Sequence, residues 1–218
     1  MRIISFAALA VLSIGVAGYA LVVYGLTPLG AFVHPDMRSV FEANRLGIYA
    51  HVFASLIALA LGPFQFHSGL RKRRISLHRW MGRVYLGIGV LIGGLAGLYM
   101  ALHAFGGLAA RLGFAGLAFA WLYTGLQAYL AIRGGQVALH RRWMVRNFAL
   151  TFAAVTLRLY LPASAIAGIE FETAYPYIAW LCWVPNFVVV EIWFNRTRVR
   201  PATGTGKGRP AVSDQVQP

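Results

Sequence analysis

Apolar and polar stretches alternate along the chain in six long waves. Apolar runs occupy residues 3–26, 46–66, 80–103, 111–132, 143–165 and 175–194. At about 1.5 Å of rise per residue, each is long enough to cross ~30 Å of hydrocarbon as a helix. Hydrocarbon offers the backbone no hydrogen bonds, so a spanning segment must satisfy its own, as a helix does. The pattern predicts an all-α, polytopic membrane bundle of six spans, one domain over residues 1–195. Residues 196–218 are too poor in apolar side chains to fold and read as a disordered basic tail. Arg2 precedes the first run as in a signal peptide, but such cores are normally about 7–15 residues. The run is longer and reads as a span or uncleaved anchor. Pro63, within GPFQF, is expected to kink or end the second span.

One span departs from uniform hydropathy. In LHRRWMVRNFALTFAAVTLRLY (139–160), His140, Asn147, Thr151 and Arg158 fall on one helix side, with Phe148, Leu150, Phe152, Val155 and Leu157 elsewhere. Arg facing lipid costs about 2.5–3.5 kcal/mol on insertion scales, so this stripe should face other helices. Gly89, Gly93 and Gly97, four apart in the third span, let a neighbouring backbone approach closely. Gly116, Ala120 and Thr124 repeat that spacing in the fourth.

Composition agrees: 59% of residues are hydrophobic and 12% charged, against about 25% charged in soluble domains. The net charge of +14 would suit nucleic acid, but its distribution argues against it. Arg71, Lys72, Arg73, Arg74 and Arg79 lie between spans two and three. Residues 133–142 and the tail are also basic, whereas the connectors after spans one, three and five are not. The positive-inside rule then puts both termini in the cytoplasm of a bacterium, with the bundle in the inner membrane. Cys182 is the only cysteine, which excludes an internal disulfide and a cysteine-cluster metal site.

LHRWMGRVY (77–85) and LHRRWMVRNF (139–148) match with one inserted residue, about 62 positions apart, and each opens a span running outward. Spans three–four and five–six therefore read as two parallel copies of one helical hairpin, an arrangement that places equivalent residues around a shared axis.

The candidate chemistry follows from the polar residues. His78 and His140 are the repeat-equivalent pair, at the cytoplasmic span ends. They read either as axial ligands to a haem iron or as interfacial side chains among lipid headgroups. His51 and His103 form an outer pair open to the same two readings, His103 also to that of a wet loop residue. His51 heads a helix face with Ser55, Gly62 and Gln65. Twenty-five residues, close to seven whole turns, separate His78 from His103, so an α-helix would face both the same way, roughly 37 Å apart. His34 and His67, in polar connectors, read as solvated. Arg158 needs an anionic partner: Glu170, Glu172 or the carboxylate of a ligand such as a haem propionate. Arg146 and Glu191 share a depth on spans five and six and read first as a structural ion pair. Asn147, Thr151 and Gln127, with the inner histidines, suggest a pocket for a quinone headgroup. Trp80, Trp143, Tyr175 and Trp193 are expected as interface aromatics. Gly204-Thr205-Gly206-Lys207 lacks the full phosphate-loop pattern.

His51, the GPFQF of 62–66, LHRWMGRVY and HRRWMVRNFALTFAAVTLRL (140–159) together resemble an uncharacterised bacterial integral-membrane family, a domain of unknown function, over residues 49–191. The resemblance implies a membrane protein and no particular activity. More loosely, the opposed histidines look like those of transmembrane b-type cytochromes, whose ligands lie inside their spans. Three functional expectations follow. One is a redox protein holding haem b, through His51/His103 or His78/His140 with Arg158 on a carboxylate, and exchanging electrons with a quinone or redox partner. Another is a transporter or small-ligand binder using the stripe on span five. The third is a non-catalytic protein binding membrane lipid or a partner. No metal is implied beyond the haem iron.

Overall fold

The computed structural model describes residues 3–198, and every regular element among them is helical. The first span is α1 (Ile3–Gly25). A connector carrying α2 (Pro35–Ala43) leads to α3 (Arg45–Gln65), the second span, and α4 (Ser68–Arg73) follows as a short basic helix. The third span is continuous but changes character twice, from α5 (Ile75–Val84) through a π-helical stretch (Tyr85–Ile92) to α6 (Gly93–Leu102). The fourth is α7 (Gly107–Arg133), the fifth α8 (Val137–Thr151) with α9 (Ala153–Ile166), and the sixth α10 (Phe171–Leu181) with α11 (Val184–Arg198). Six stretches are long and apolar enough to cross a membrane: Phe6–Gly25, Arg45–Gln65, Ile75–Leu102, Gly107–Arg133, Val137–Ile166 and Phe171–Arg196.

The third and fifth helices begin at Ile75 and Val137, ahead of the residues 80 and 143 that hydropathy marks. Hydropathy reports where a chain enters hydrocarbon, whereas arginine is a good helix former on either side of that boundary. His78 and His140 thus stand within helices. α11 continues through Arg198, into the stretch expected as tail; the rest of that tail, with its Gly204–Lys207 run, lies outside the described residues.

Each interruption has a local cause or geometry. Pro185 cannot donate to Leu181, so α10 ends there. The Asn186 side chain donates to the freed Cys182 carbonyl at 3.0 Å. At Phe152 the helix tightens: Val155 N–H bonds the Phe152 carbonyl at 2.9 Å, an i→i+3 step. The eight π-helical residues Tyr85–Ile92 break the 3.6-residue period, so the shared facing expected for His78 and His103 does not follow.

The bundle is built around α3 and α7. α3 packs on α1, the π-helical stretch and α6, while α7 packs on α6, α8 and α10. The main core cluster gathers Ala58, Tyr85, Trp121, Met144, Phe148 and Leu150 from spans two to five. Leu91, Leu95, Phe119 and Leu126 are exposed on the outside, an apolar surface that suits acyl chains.

Candidate ligand-binding site

A cavity of about 500 Å³ lies between the six spans, toward the end that bears the connectors poor in basic residues. Its walls are mostly apolar, including Val52, Leu56, Met100, Leu117 and Leu150. Among them stand a few polar groups: Tyr19, Tyr24, His51, Ser55, Thr151 and Arg158. An apolar chamber with few convergent polar groups is the usual form of a small-molecule site.

The glycine row of the third span sets the position of His51. A Cβ on Gly89 would lie 2.7 Å from the Ala58 Cβ, one on Gly93 3.0 Å from Ser55 Oγ, and one on Gly97 2.7 Å from His51 Nδ1. Glycine therefore lets α3 lie close against the third span and leaves room for the imidazole. His51 Nδ1 sits 2.9 Å from the Gly93 carbonyl oxygen. A carbonyl only accepts, so Nδ1 carries the proton and Nε2 remains an acceptor with no hydrogen-bond partner among the described residues. Ser55 Oγ, also on the cavity wall, is buried without a partner.

Arg158 reaches the cavity from α9. Its Nη1 donates to the Ala154 carbonyl at 2.9 Å, and its guanidinium lies 5.8 Å from the Tyr19 ring centroid. Neither Glu170 nor Glu172 pairs with it, contrary to expectation: Glu170 caps α10 and Glu172 lies in its first turn, beyond the end of α9. Among the described residues Arg158 has no carboxylate partner, and a half-buried cation in this position is costly unless an anion or water meets it.

The floor is a closed polar network. The Asn147 amide nitrogen donates to the Trp121 carbonyl (2.8 Å) and to Thr124 Oγ1 (2.9 Å), which leaves Oδ1 to accept from the Tyr85 hydroxyl at 2.8 Å. Thr151 Oγ1 accepts from Trp121 Nε1 at 2.9 Å and lies 2.8 Å from the Tyr85 oxygen. Asn147 is 0% and Thr151 6% exposed, so these two members of the span-five stripe turn inward. Thr151 lines the cavity and Asn147 lies beneath it. Gln127 is half-buried, joins neither this network nor the cavity lining, and is not brought to Asn147. Sequence reasoning missed Tyr85 and Trp121, because an aromatic ring in an apolar run reads as core unless its polar tip is followed.

An aromatic roof covers the outer end. His34 stacks on Phe171 at 4.4 Å between centroids with planes 8° apart, and Phe105 lies 5.7 Å from Phe171. His34 also lines the cavity, which corrects its reading as a solvated connector residue. Tyr175, expected at an interface, is 7% exposed and packs 4.9 Å from Phe171. Three segments distant in sequence thus converge here, which no local pattern signals.

The remaining residues lie apart. His103 lines the cavity too, its Nδ1 3.1 Å from the Tyr99 carbonyl, but it stands six residues beyond Gly97, about 9 Å along the helix. His78 and His140 belong to the basic end and line no part of the cavity. His140 Nδ1 lies 2.8 Å from the Ala128 carbonyl. Arg146 binds Glu191 through two contacts, Nε to Oε1 at 2.5 Å and Nη2 to Oε2 at 2.9 Å, with the Trp143 ring centroid 4.8 Å from its guanidinium carbon. His67 is exposed and accepts from Leu70 N–H at 3.3 Å, capping α4.

Comparison with known families adds one result. The family model described as "Predicted membrane protein (DUF2306)" matches residues 48–194, and the chain belongs to that family. It is an integral, multi-pass membrane protein with no strand among the described residues. No curated protein and no solved structure matches it.

Proposed function

We propose that this family member binds an amphipathic ligand with an apolar body and a single anionic head, taken into the cavity from the outer leaflet. The observation that carries the reading is Arg158, a cation on the wall of a 500 Å³ apolar chamber with no carboxylate of its own. A carboxylate would meet the guanidinium in a bidentate pair, and the His51 and Ser55 side chains would border the ligand's polar end. In this reading the basic connectors mark the cytoplasmic side of the inner membrane, both termini lie there, and the aromatic roof faces outward. A binder or transporter of such a ligand uses the same contacts.

The test uses the purified full chain and parinaric acid, a fluorescent long-chain carboxylate, beside its methyl ester. The acid should bind about tenfold tighter than the ester, and Arg158→Gln should remove that preference. Equal binding of acid and ester overturns the reading.

Haem b remains a second reading on one specific ground. His51 donates Nδ1–H to a backbone carbonyl and leaves Nε2 available, as imidazoles that ligate metals usually do. Arg158 would then hold a propionate, and a quinone would serve as electron partner. An absorption spectrum of haem-supplemented protein decides it: a reducible Soret band that shrinks in His51→Ala supports haem, and a colourless protein rejects it.

A further inference from the structure

The opposite end of the bundle holds a second group of unmatched donors. Gln65 ends α3, fourteen residues and about 21 Å along the helix from His51. It is 5% exposed, yet its Nε2 is buried without a hydrogen-bond partner. Its Oε1 faces α5, since a Cβ on Gly82 would lie 3.4 Å from it. One turn earlier on α5, His78 Nδ1 is also buried and unpartnered. Arg71, from α4, turns Nη1 toward the carbonyls of Gln65 (3.4 Å) and Phe66 (3.3 Å), which holds its guanidinium beside the end of α3. Arg71 and His140 are both near enough to His78 for their charges to interact.

No acidic residue answers these groups. The chain has six Asp and Glu in all and none between Glu42 and Glu170. Glu191, on this side of the bundle, is engaged by Arg146 through both oxygens. The ends of α3, α4, α5 and α8 therefore present an amide, two imidazoles and a guanidinium with no resident anion.

We propose that this junction binds a phosphate group at the membrane surface, with Arg71 and Gln65 donating to its oxygens and His78 beside them. An anionic lipid headgroup and a soluble phosphate share that chemistry. The site is independent of the cavity, because no residue in it lines the cavity.

The test takes the full chain in nanodiscs of phosphatidylcholine with phosphatidylglycerol, and reads the lipid retained by native mass spectrometry. A parallel calorimetric titration in detergent uses inorganic phosphate. Phosphatidylglycerol should be retained about fivefold over phosphatidylcholine, and Arg71→Gln should remove about that factor. Gln65→Glu keeps the side chain's shape but sets a negative charge against the phosphate, and should weaken retention at least as far. Arg111→Gln, at the other end of the bundle, should retain lipid as the parent does. Inorganic phosphate binding with the same dependence on Arg71 and Gln65, without lipid preference, assigns the site to a soluble phosphate and upholds the proposal. Absence of both signals overturns it, as does a preference indifferent to Arg71→Gln and Gln65→Glu in variants that melt like the parent.

Discussion

His51 and Gly93 are tied side chain to backbone, with the imidazole Nδ1 2.9 Å from the glycine's carbonyl oxygen. The bond joins spans two and three where the π-helical stretch gives way to α6. It fixes the ring's tautomer and leaves Nε2 as its only acceptor. Any ligand that reaches His51 therefore meets a hydrogen-bond acceptor or a metal ligand unless the ring takes up a second proton.

Gly97→Ala tests that geometry without touching the imidazole. The added Cβ would stand 2.7 Å from His51 Nδ1, so the ring must turn away and give up the Gly93 bond. Alanine is the better helix former by about 1 kcal/mol, so the helix itself does not suffer. Parinaric acid affinity should fall about tenfold while membrane insertion persists. Unchanged affinity would remove His51 from the site.

Tyr85→Phe strips one hydroxyl from the cavity floor. Asn147 Oδ1 then loses its donor, because both amide protons already go to Trp121 and Thr124. An orphaned buried acceptor costs about 1–3 kcal/mol in water-soluble proteins, and hydrogen bonds between membrane helices fall toward the lower end, so about 1 kcal/mol is expected. Thermal unfolding in detergent reads it as a lowered midpoint.

Arg146→Ala should destabilise the chain more, by about 2 kcal/mol. It leaves Glu191 without its bidentate partner, and side-chain exposures of 12% for Arg146 and 33% for Glu191 place the pair in partial burial, which screens it somewhat. The double replacement Arg146→Met with Glu191→Leu should recover most of the loss, because it removes both charges together. A double variant no more stable than the single one would show that the flanking Trp143 and Phe194 contacts dominate.

His34→Ala opens the roof. Losing the stack on Phe171 should speed release of parinaric acid about fivefold in stopped-flow measurements, with a smaller change in binding rate. His34→Phe keeps the stack and should release it as slowly as the parent.

The bundle was legible from hydropathy because lipid imposes a simple rule on span length. The glycine row was legible for a similar reason: four-residue spacing marks one helix face, and that face meets Ala58, Ser55 and His51. Arg158 stood out as a cation inside an apolar run. What stayed hidden depends on contacts distant in sequence. Nothing near His34 announces Phe171, and nothing near Tyr85 announces Asn147 sixty-two residues on. The π-helical stretch was invisible as well, since Gly, Ile, Leu and Val fit either helix, and it undid an argument about facing that assumed uniform turns.

That wider coil also sets how the third span tolerates changes in length. Excising one residue from Tyr85–Ile92 would let the stretch wind back to ordinary α geometry and swing everything after it by about 100°. Gly93 and Gly97 would then face away from α3, and bulkier neighbours would be driven against His51 and Ser55. Substitutions here would be absorbed far more readily than a single deletion, which would act as a wrench on the whole upper half of the helix.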